Sequence, residues 1–279
     1  MSIAQCTELP DIVRRSGGGC IHQAWTIGKE DRRFFLKTSG CEQSSVYRAE
    51  ADGLNQLRAA LKHSAPIRVP EVLGHFSGEA FSCLVLEFIE MSHAGDETAL
   101  ADGLVKLHRN TANSFGLEYD NTIGSTPQSN KPCDSWLIFF KTRRLEPQLE
   151  WAREHGFVFS GVDRLLDEIE GFFPDYQPTP SLLHGDLWGG NVGYDARGVP
   201  VIFDPAIYYG DREADLAFTE VFGGFSRRFY ESYREKWPLS TGYAKRKDLY
   251  NLYHMLNHVN LFGASYADSV ESLIHRLIH

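Results

Sequence analysis

Cysteine is scarce in this chain, and its count is odd. Cys6, Cys20, Cys41, Cys83 and Cys133 form no C-x-x-C pair and no zinc-ligand spacing. That argues against a disulfide framework and for free thiols in a reducing compartment. Long apolar runs are also missing, since no stretch approaches the roughly 18 residues of a membrane helix. The start, MSIAQCTELPD, lacks a basic region followed by an apolar one, so no secretory leader is visible. The expected location is cytoplasmic. Positive charge is in deficit: 28 Lys and Arg against 37 Asp and Glu leave a net charge of −9. Such a surface lacks the field that attracts phosphate, so neither nucleic acid nor membrane is an expected partner, although a local basic pocket stays open. No repeat and no low-complexity segment occurs. What is present, 42% hydrophobic and 23% charged residues, is ordinary globular composition. A length of 279 residues suits one large domain or two lobes.

Two regions differ in texture. Up to Ile89, short strand-like segments dominate. Residues 20–27 and 33–37 flank the polar turn Gly28-Lys29-Glu30-Asp31, a hairpin signal. Residues 43–61 bring Val46, Leu54, Leu57 and Leu61 near helical spacing. Residues 72–76 and 81–89 flank Ser77-Gly78-Glu79, a second hairpin signal. With one strand ahead of these, the order is three strands, a helix and two strands. Helical patterns follow over 98–109, 134–155, 162–172, 213–233 and 246–277, separated by a polar loop at 113–132 and a strand-bounded loop at 181–204. This predicts an α+β chain divided at 1–89 and 90–279.

The string Leu183-His184-Gly185-Asp186-Leu187-Trp188-Gly189-Gly190-Asn191 has the spacing of a kinase catalytic loop, an Asp followed five positions later by an Asn. A hydroxyl attacking a γ-phosphoryl group needs an acceptor for its proton, which a carboxylate supplies. An Asn carbonyl oxygen is a neutral hard ligand for Mg²⁺. Further on, Val201-Ile202-Phe203-Asp204-Pro205-Ala206 puts a second carboxylate at a strand end, where another Mg²⁺ ligand is needed. Either segment alone reads equally as a turn or a strand-end cap; together, in this order, they point to phosphoryl transfer.

Lys37 ends the third predicted strand, where a kinase keeps its phosphate-binding lysine, and Glu50 in the following helix is its natural partner, with Asp52 a competitor. In isolation either could be a solvated surface charge. Ser16-Gly17-Gly18-Gly19-Cys20 separates the first two strands, where backbone N–H groups could cover phosphates. It departs from G-x-G-x-x-G, because His22 takes the third glycine position. Leu84-Val85-Leu86-Glu87-Phe88-Ile89 is a buried strand and the expected hinge, with Glu87, Phe88 and Ile89 offering backbone groups to adenine.

With these parts in hand, the chain resembles the fructosamine/ketosamine kinase family, a branch of the aminoglycoside-phosphotransferase and protein-kinase-like fold. The resemblance lies in HGDLWGGN, in the run from Phe203 through Asp204-Pro205-Ala206 to Asp215-Leu216-Ala217, in Gly124-Ser125-Thr126-Pro127-Gln128-Ser129-Asn130 and in Phe222-Gly223-Gly224-Phe225. It covers nearly the whole chain. HRD, DFG and APE of protein kinases are absent. The resemblance implies a two-lobed fold, a small antiparallel sheet with one main helix and a mostly helical second lobe. It implies ATP-dependent phosphorylation of the third hydroxyl of a ketosamine, on a small molecule or a glycated protein lysine, which loosens the adduct. It makes Asp186 the base, Asn191 and Asp204 the Mg²⁺ ligands, and Lys37 with Glu50 the phosphate anchor. Asp215 either braces the catalytic loop or answers a helix dipole.

Substrate contacts are more open. Trp188 could wall a sugar face or pack the loop, and Asp120, Asn121, Gln128 and Asn130 could bind hydroxyls or face water. Acidic Glu118 and Asp120 suit a cationic substrate. His254 and His258 sit one helical turn apart but lack the Glu of H-E-x-x-H, so a structural or pocket-lining pair is expected over zinc. Cys20 in the glycine loop is either a redox-sensitive thiolate, able to link two copies, or an apolar plug; a monomer or a redox-linked dimer follows. A kinase for another amine-bearing metabolite, such as an aminoglycoside or a choline-like alcohol, and a silent nucleotide binder are the competing readings.

Overall fold

A computed structural model describes residues 12–16, 23–29, 32–61 and 65–279. Gly17, Gly18, Gly19 and Cys20, on which the phosphate-loop and redox expectations fall, lie outside the described residues. Strands β1 (Ile12–Ser16), β2 (Gln23–Lys29), β3 (Arg32–Ser39), β4 (Val72–Ser77) and β5 (Ser82–Glu87) form an antiparallel sheet ordered β1-β2-β3-β5-β4. Helix α1 (Ser44–Leu61) joins β3 towards β4. Its buried Tyr47, Ala51, Leu54, Leu57 and Leu61 recur every three or four residues and so share a face. That face packs in one apolar cluster with Leu84 and Leu86 of β5. Full burial of a leucine such as Leu54 contributes roughly 1.5–3 kcal/mol.

The remainder is mainly helical: α2 (Glu97–His108), α3 (Trp136–Phe140), α4 (Glu146–Glu154), α5 (Val162–Glu168), α6 (Arg212–Thr219), α7 (Arg227–Lys236), α8 (Tyr243–Phe262) and α9 (Ala267–Ile278). Three two-stranded ladders pair β6 (Asn121–Ile123) with β7 (Thr126–Gln128), β8 (Ser181–Leu183) with β11 (Tyr208–Gly210), and β9 (Val192–Tyr194) with β10 (Pro200–Ile202). Asp96 caps α2, accepting the Thr98 and Ala99 N–H groups. Leu100, Leu104 and Leu107 of α2 lie in the same cluster as Leu182, Leu187, Ile202 and Leu216, so one core links the five-stranded sheet to the loops that follow β8 and β10. Among the described residues no helix is long and apolar enough to cross a membrane.

Several elements depart from the pattern expected of the sequence. The polar stretch at 113–132 contains the β6–β7 hairpin. The helix expected over 134–155 is interrupted by a π-helical turn, Lys141–Leu145. That turn aims the fully buried Arg144 between the rings of Phe139 and Tyr208, 4.6 and 4.0 Å away. The helix expected over 213–233 breaks after α6, where Phe222 has a positive φ of 57°. The one over 246–277 breaks at Gly263, at a φ of 82°.

Arg68 ties the sheet to the helical part. Its guanidinium binds Glu87 at the end of β5 at 2.6 Å and Asp195 beyond β9 at 2.8 Å, and its backbone pairs with β10 through Pro200 and Ile202. Burial works against the Asp195 carboxylate, but Arg68 and the Val199 and Arg197 N–H groups outweigh it and hold the pKa at about 2. A depressed carboxylate adds stability above its unfolded pKa of about 3.9 that is lost as pH falls through the folded value. Asp195→Asn is therefore expected to lower stability by about 1–3 kcal/mol at pH 7 in urea unfolding, with the gap from the native chain narrowing below pH about 4.

Candidate active site

The loop 184–191, between β8 and β9, is built from the backbone outward. Asp215, in the first turn of α6, is 2% exposed. Its Oδ2 accepts the His184 N–H at 2.7 Å and its Oδ1 the Gly185 N–H at 2.9 Å. Burial keeps His108 neutral, so its Nε2–H donates to Asp215 and its Nδ1 accepts from the Tyr233 hydroxyl. Burial alone would raise the pKa of Asp215, but the hydrogen bonds from His108 and the Gly185 N–H outweigh it and hold the group below the usual range. The helix end itself is capped by Asp211, which accepts the Glu213 N–H.

This loop lies against residues 203–206, between β10 and β11. The Ala206 N–H donates to the His184 carbonyl at 2.9 Å, and His184 Nε2 lies 3.0 Å from the Phe203 carbonyl. Gly185 has a φ of 82°, and a Cβ there would stand 1.9 Å from the Ala206 carbonyl oxygen. Glycine is thus required at the middle of His-Gly-Asp on two grounds, backbone conformation and contact distance.

Asp186 and Asp204 project from these two segments. Asn191 donates its amide N–H₂ to the Asp186 carbonyl and to Oδ2, at 2.7 and 2.9 Å, which leaves its own Oδ1 as the group to offer a ligand. Burial raises the Asp186 pKa to about 7, with the Asn191 hydrogen bond opposing. Asp204 has a positive φ of 56° and a side chain 41% exposed. Lys37 of β3 reaches both Glu50 of α1, at 2.7 Å, and Asp204 Oδ1, at 2.5 Å. Burial works to lower the pKa of Lys37, but Asp204 and then Glu50 more than offset it, so the ammonium stays charged. Asp52, the competing partner, instead faces Arg48 at 3.9 Å on the outer side of α1. Gly53, one turn after Glu50, lies where a Cβ would be 3.1 Å from the Pro205 ring. The small residue lets α1 approach the proline that follows Asp204.

Three amide side chains of the polar loop turn inward. Asn121, Gln128 and Asn130 are 7%, 2% and 0% exposed. Asn121 donates to the Ile207 carbonyl, Gln128 to Asn121 Oδ1 and the Ala206 carbonyl, and Asn130 to the Tyr119 carbonyl and Asn121 Oδ1. Asp120 accepts the Asn130 N–H. Arg144 donates to Asn130 Oδ1 at 2.7 Å and Tyr253 to Gln128 Oε1. The expected sugar contacts of Asn121, Gln128 and Asn130 do not fit this geometry, because their polar heads are taken up in bracing residues 206–207 and the loop itself, whereas Asp120 stays exposed. Nothing in the sequence marked Arg144 as the buried centre of that network. At the hinge, Glu87 has its carboxylate on Arg68 and its N–H on the Glu71 carbonyl, and Phe88 lies under Arg33 at 4.2 Å; Ile89 follows. Trp188 is half-buried and edge-on to the exposed Phe222 at 5.3 Å. His258 bonds the His254 carbonyl, and among the described residues no group of three or more His, Cys, Asp and Glu could hold a metal.

Asn191 Oδ1 and the Asp204 carboxylate are two hard oxygen donors without an enclosing cage. That set fits Mg²⁺, which keeps waters and is shared with substrate phosphates, and does not fit zinc.

A five-stranded sheet with one helix, a helical second part and a His-Gly-Asp loop facing a strand-end Asp define the protein-kinase-like phosphotransferase class. An aminoglycoside phosphotransferase at 16% identity has the same fold, with a TM-score of 0.65 over 99% of this chain and 96% of that one. The chain belongs to the fructosamine kinase family, whose profile matches residues 6–279. It is 41% identical over 278 residues to a "Probable ketoamine kinase" of Synechocystis, covering 98% of this chain and 93% of that protein. It is 39% identical over 267 residues to a chloroplastic protein-ribulosamine 3-kinase of Arabidopsis thaliana, covering 92% and 80%. A crystal structure from Haemophilus somnus, a candidate fructosamine-3-kinase at 31% identity, superposes with a TM-score of 0.89 over 97% and 92% of the two chains.

Gly185→Ala is expected to abolish turnover and to lower stability by about 1–3 kcal/mol from backbone strain, more with the carbonyl clash; coupled ATP turnover and urea unfolding check both.

Proposed function

We propose that this chain transfers the γ-phosphoryl group of ATP to the third hydroxyl of a ketosamine, the sugar adduct of a primary amine. The observation that supports this most is the joint arrangement of Lys37, Glu50, Asp186, Asn191 and Asp204 in a member of the fructosamine kinase family. We assign residues 1–89 to nucleotide binding and 90–279 to chemistry and substrate. Lys37, fixed by Glu50, holds phosphate oxygens. Phe88 and Ile89 at the hinge offer backbone groups to the nucleotide. Asn191 and Asp204 would hold Mg²⁺, which would supply neutralisation of the phosphate charge. Asp186 accepts the proton of the sugar hydroxyl as its oxygen attacks phosphorus, and ADP leaves with the electron pair of the broken bond. A carboxylate with a pKa of about 7 is well matched to that task near neutrality. Trp188, edge-on to Phe222 beside the base, offers the flat apolar surface for the sugar. The free thiols of Cys41, Cys83 and Cys133 suit a reducing compartment such as the cytoplasm.

Coupled ATP turnover tests the substrate. Fructosamine or ribulosamine adducts of lysine are expected to be phosphorylated well ahead of free ketoses, aminoglycosides and choline; equal rates on free fructose, or turnover on an aminoglycoside alone, would contradict the reading. Asp186→Asn is expected to lower kcat by roughly 10²–10⁴-fold. Because it removes a carboxylate whose charge is disfavoured by burial, its melting temperature should match or exceed the native value. A variant that is inactive only because it has unfolded would refute the assignment.

A further inference from the structure

Beside Asp186 lies a buried ring nitrogen without a hydrogen-bond partner among the described residues. His254, on α8, is 4% exposed. Its ring lies flat on Phe218 of α6, with centroids 3.7 Å apart and planes within 7°, and Tyr253 stands against it at 5.0 Å. The stack fixes the ring plane and therefore the direction of both nitrogens. Nδ1 lies 4.0 Å from Asp186 Oδ1 and has no hydrogen-bond partner among the described residues. A buried polar atom left unpaired costs roughly 1–3 kcal/mol, and unpaired buried atoms are few in native proteins. The other oxygen of the same carboxylate, Oδ2, is already held by Asn191. Oδ1 is thus the oxygen free to receive a proton, and His254 Nδ1 is the protein atom waiting beside it.

We propose that His254 is a positioning residue for Asp186, its Nδ1 closing onto Oδ1 when the substrates are seated and holding that oxygen towards the acceptor hydroxyl. The inference rests on the ketosamine-kinase reading, in which Asp186 takes the proton. The gap to be closed is about 1 Å beyond an ordinary hydrogen bond, and catalytic hydrogen bonds are often long before substrate binds. A charged pair is not involved: burial first, and then His258, keep the imidazole neutral, with Arg144 acting in the same direction and Asp215 against. A neutral ring serves Oδ1 in either tautomer, by donating Nδ1–H to the carboxylate or by accepting from the carboxylic acid formed after proton transfer. A metal-binding role for the same histidine is disfavoured, because His258 Nδ1 is taken by the His254 carbonyl and no third ligand is present among the described residues.

Steady-state kinetics on three variants tests the assignment. His254→Phe keeps an aromatic ring on Phe218 without a nitrogen. It should lower kcat about 10–100-fold, the scale of a misplaced reacting group, with KM for ATP and for the ketosamine within about twofold of native and nucleotide affinity unchanged. His254→Asn carries an amide near the position of Nδ1 and should recover most of kcat. His254→Gln, which reaches towards the position of Nε2, should not. If the phenylalanine variant fails to fold, the Asn and Gln comparison decides. Native kcat in His254→Phe, equal losses in Asn and Gln, or a raised ketosamine KM at unchanged kcat would each overturn the proposal and leave the functional reading standing. Absence of native turnover on every ketosamine would overturn both.

Discussion

The contact between the Gly185 backbone and the Ala206 carbonyl sets how near the two carboxylates of the site can come. Each side of that contact is held by its own apparatus. Asp215, fixed by His108 and Tyr233, grips the His184 and Gly185 N–H groups. Asn121, held by Asn130, and Gln128, held by Tyr253, grip the carbonyls of residues 207 and 206, and Arg144 in turn holds Asn130. Asp186 and Asp204 therefore inherit their positions from hydrogen-bonded backbone. A site meant to hold reacting groups to within a fraction of an ångström benefits from such support.

The five-stranded sheet enters this frame through a charge. Lys37 is nearly buried and carries two carboxylates, Glu50 within the sheet-and-helix unit and Asp204 across from it. Removing one partner of a buried pair typically costs about 3–5 kcal/mol, since the other charge is left uncompensated. Glu50 holds Lys37 from within the sheet-and-helix unit, so the charge of the ammonium does not depend on Asp204 alone. Gly53 and Pro205 supply the close packing that lets α1 deliver Glu50 to this point, and Arg68, bridging Glu87 and Asp195, anchors the far side of the same junction.

Strand order, the main helix and the two segments that carry Asp186 and Asp204 were legible in the sequence because they depend on local periodicity and on short spacings. Lys37 could be placed on the third strand, although that strand runs two residues past it to Ser39, Glu50 on the next helix, and Asp186 and Asn191 five residues apart. The parts that were not legible depend on long-range burial of polar groups. Asn121, Gln128 and Asn130 look like ligands for a sugar when only their polarity is visible, and become internal braces once Arg144 is folded in among them. Arg144 gives no warning, as a π-helical turn has no hydropathy signature and a fully buried arginine is rare. Phe222, whose left-handed backbone breaks the helix expected after Asp211, is another such case. His254 was visible as half of a histidine pair, but its relation to Asp186 exists only when α8 and α6 are packed together.

The division of labour between the two carboxylates is the core of the account, and calorimetric titration of ATP in the presence and absence of Mg²⁺ measures it most directly. Asp204→Asn should lose the Mg²⁺-dependent part of nucleotide affinity, while Asp186→Asn should retain affinity close to the native protein. Equal Mg²⁺-dependent affinity in both variants, or its loss in Asp186→Asn alone, would contradict the assignment of Asp204 to the metal and Asp186 to the proton.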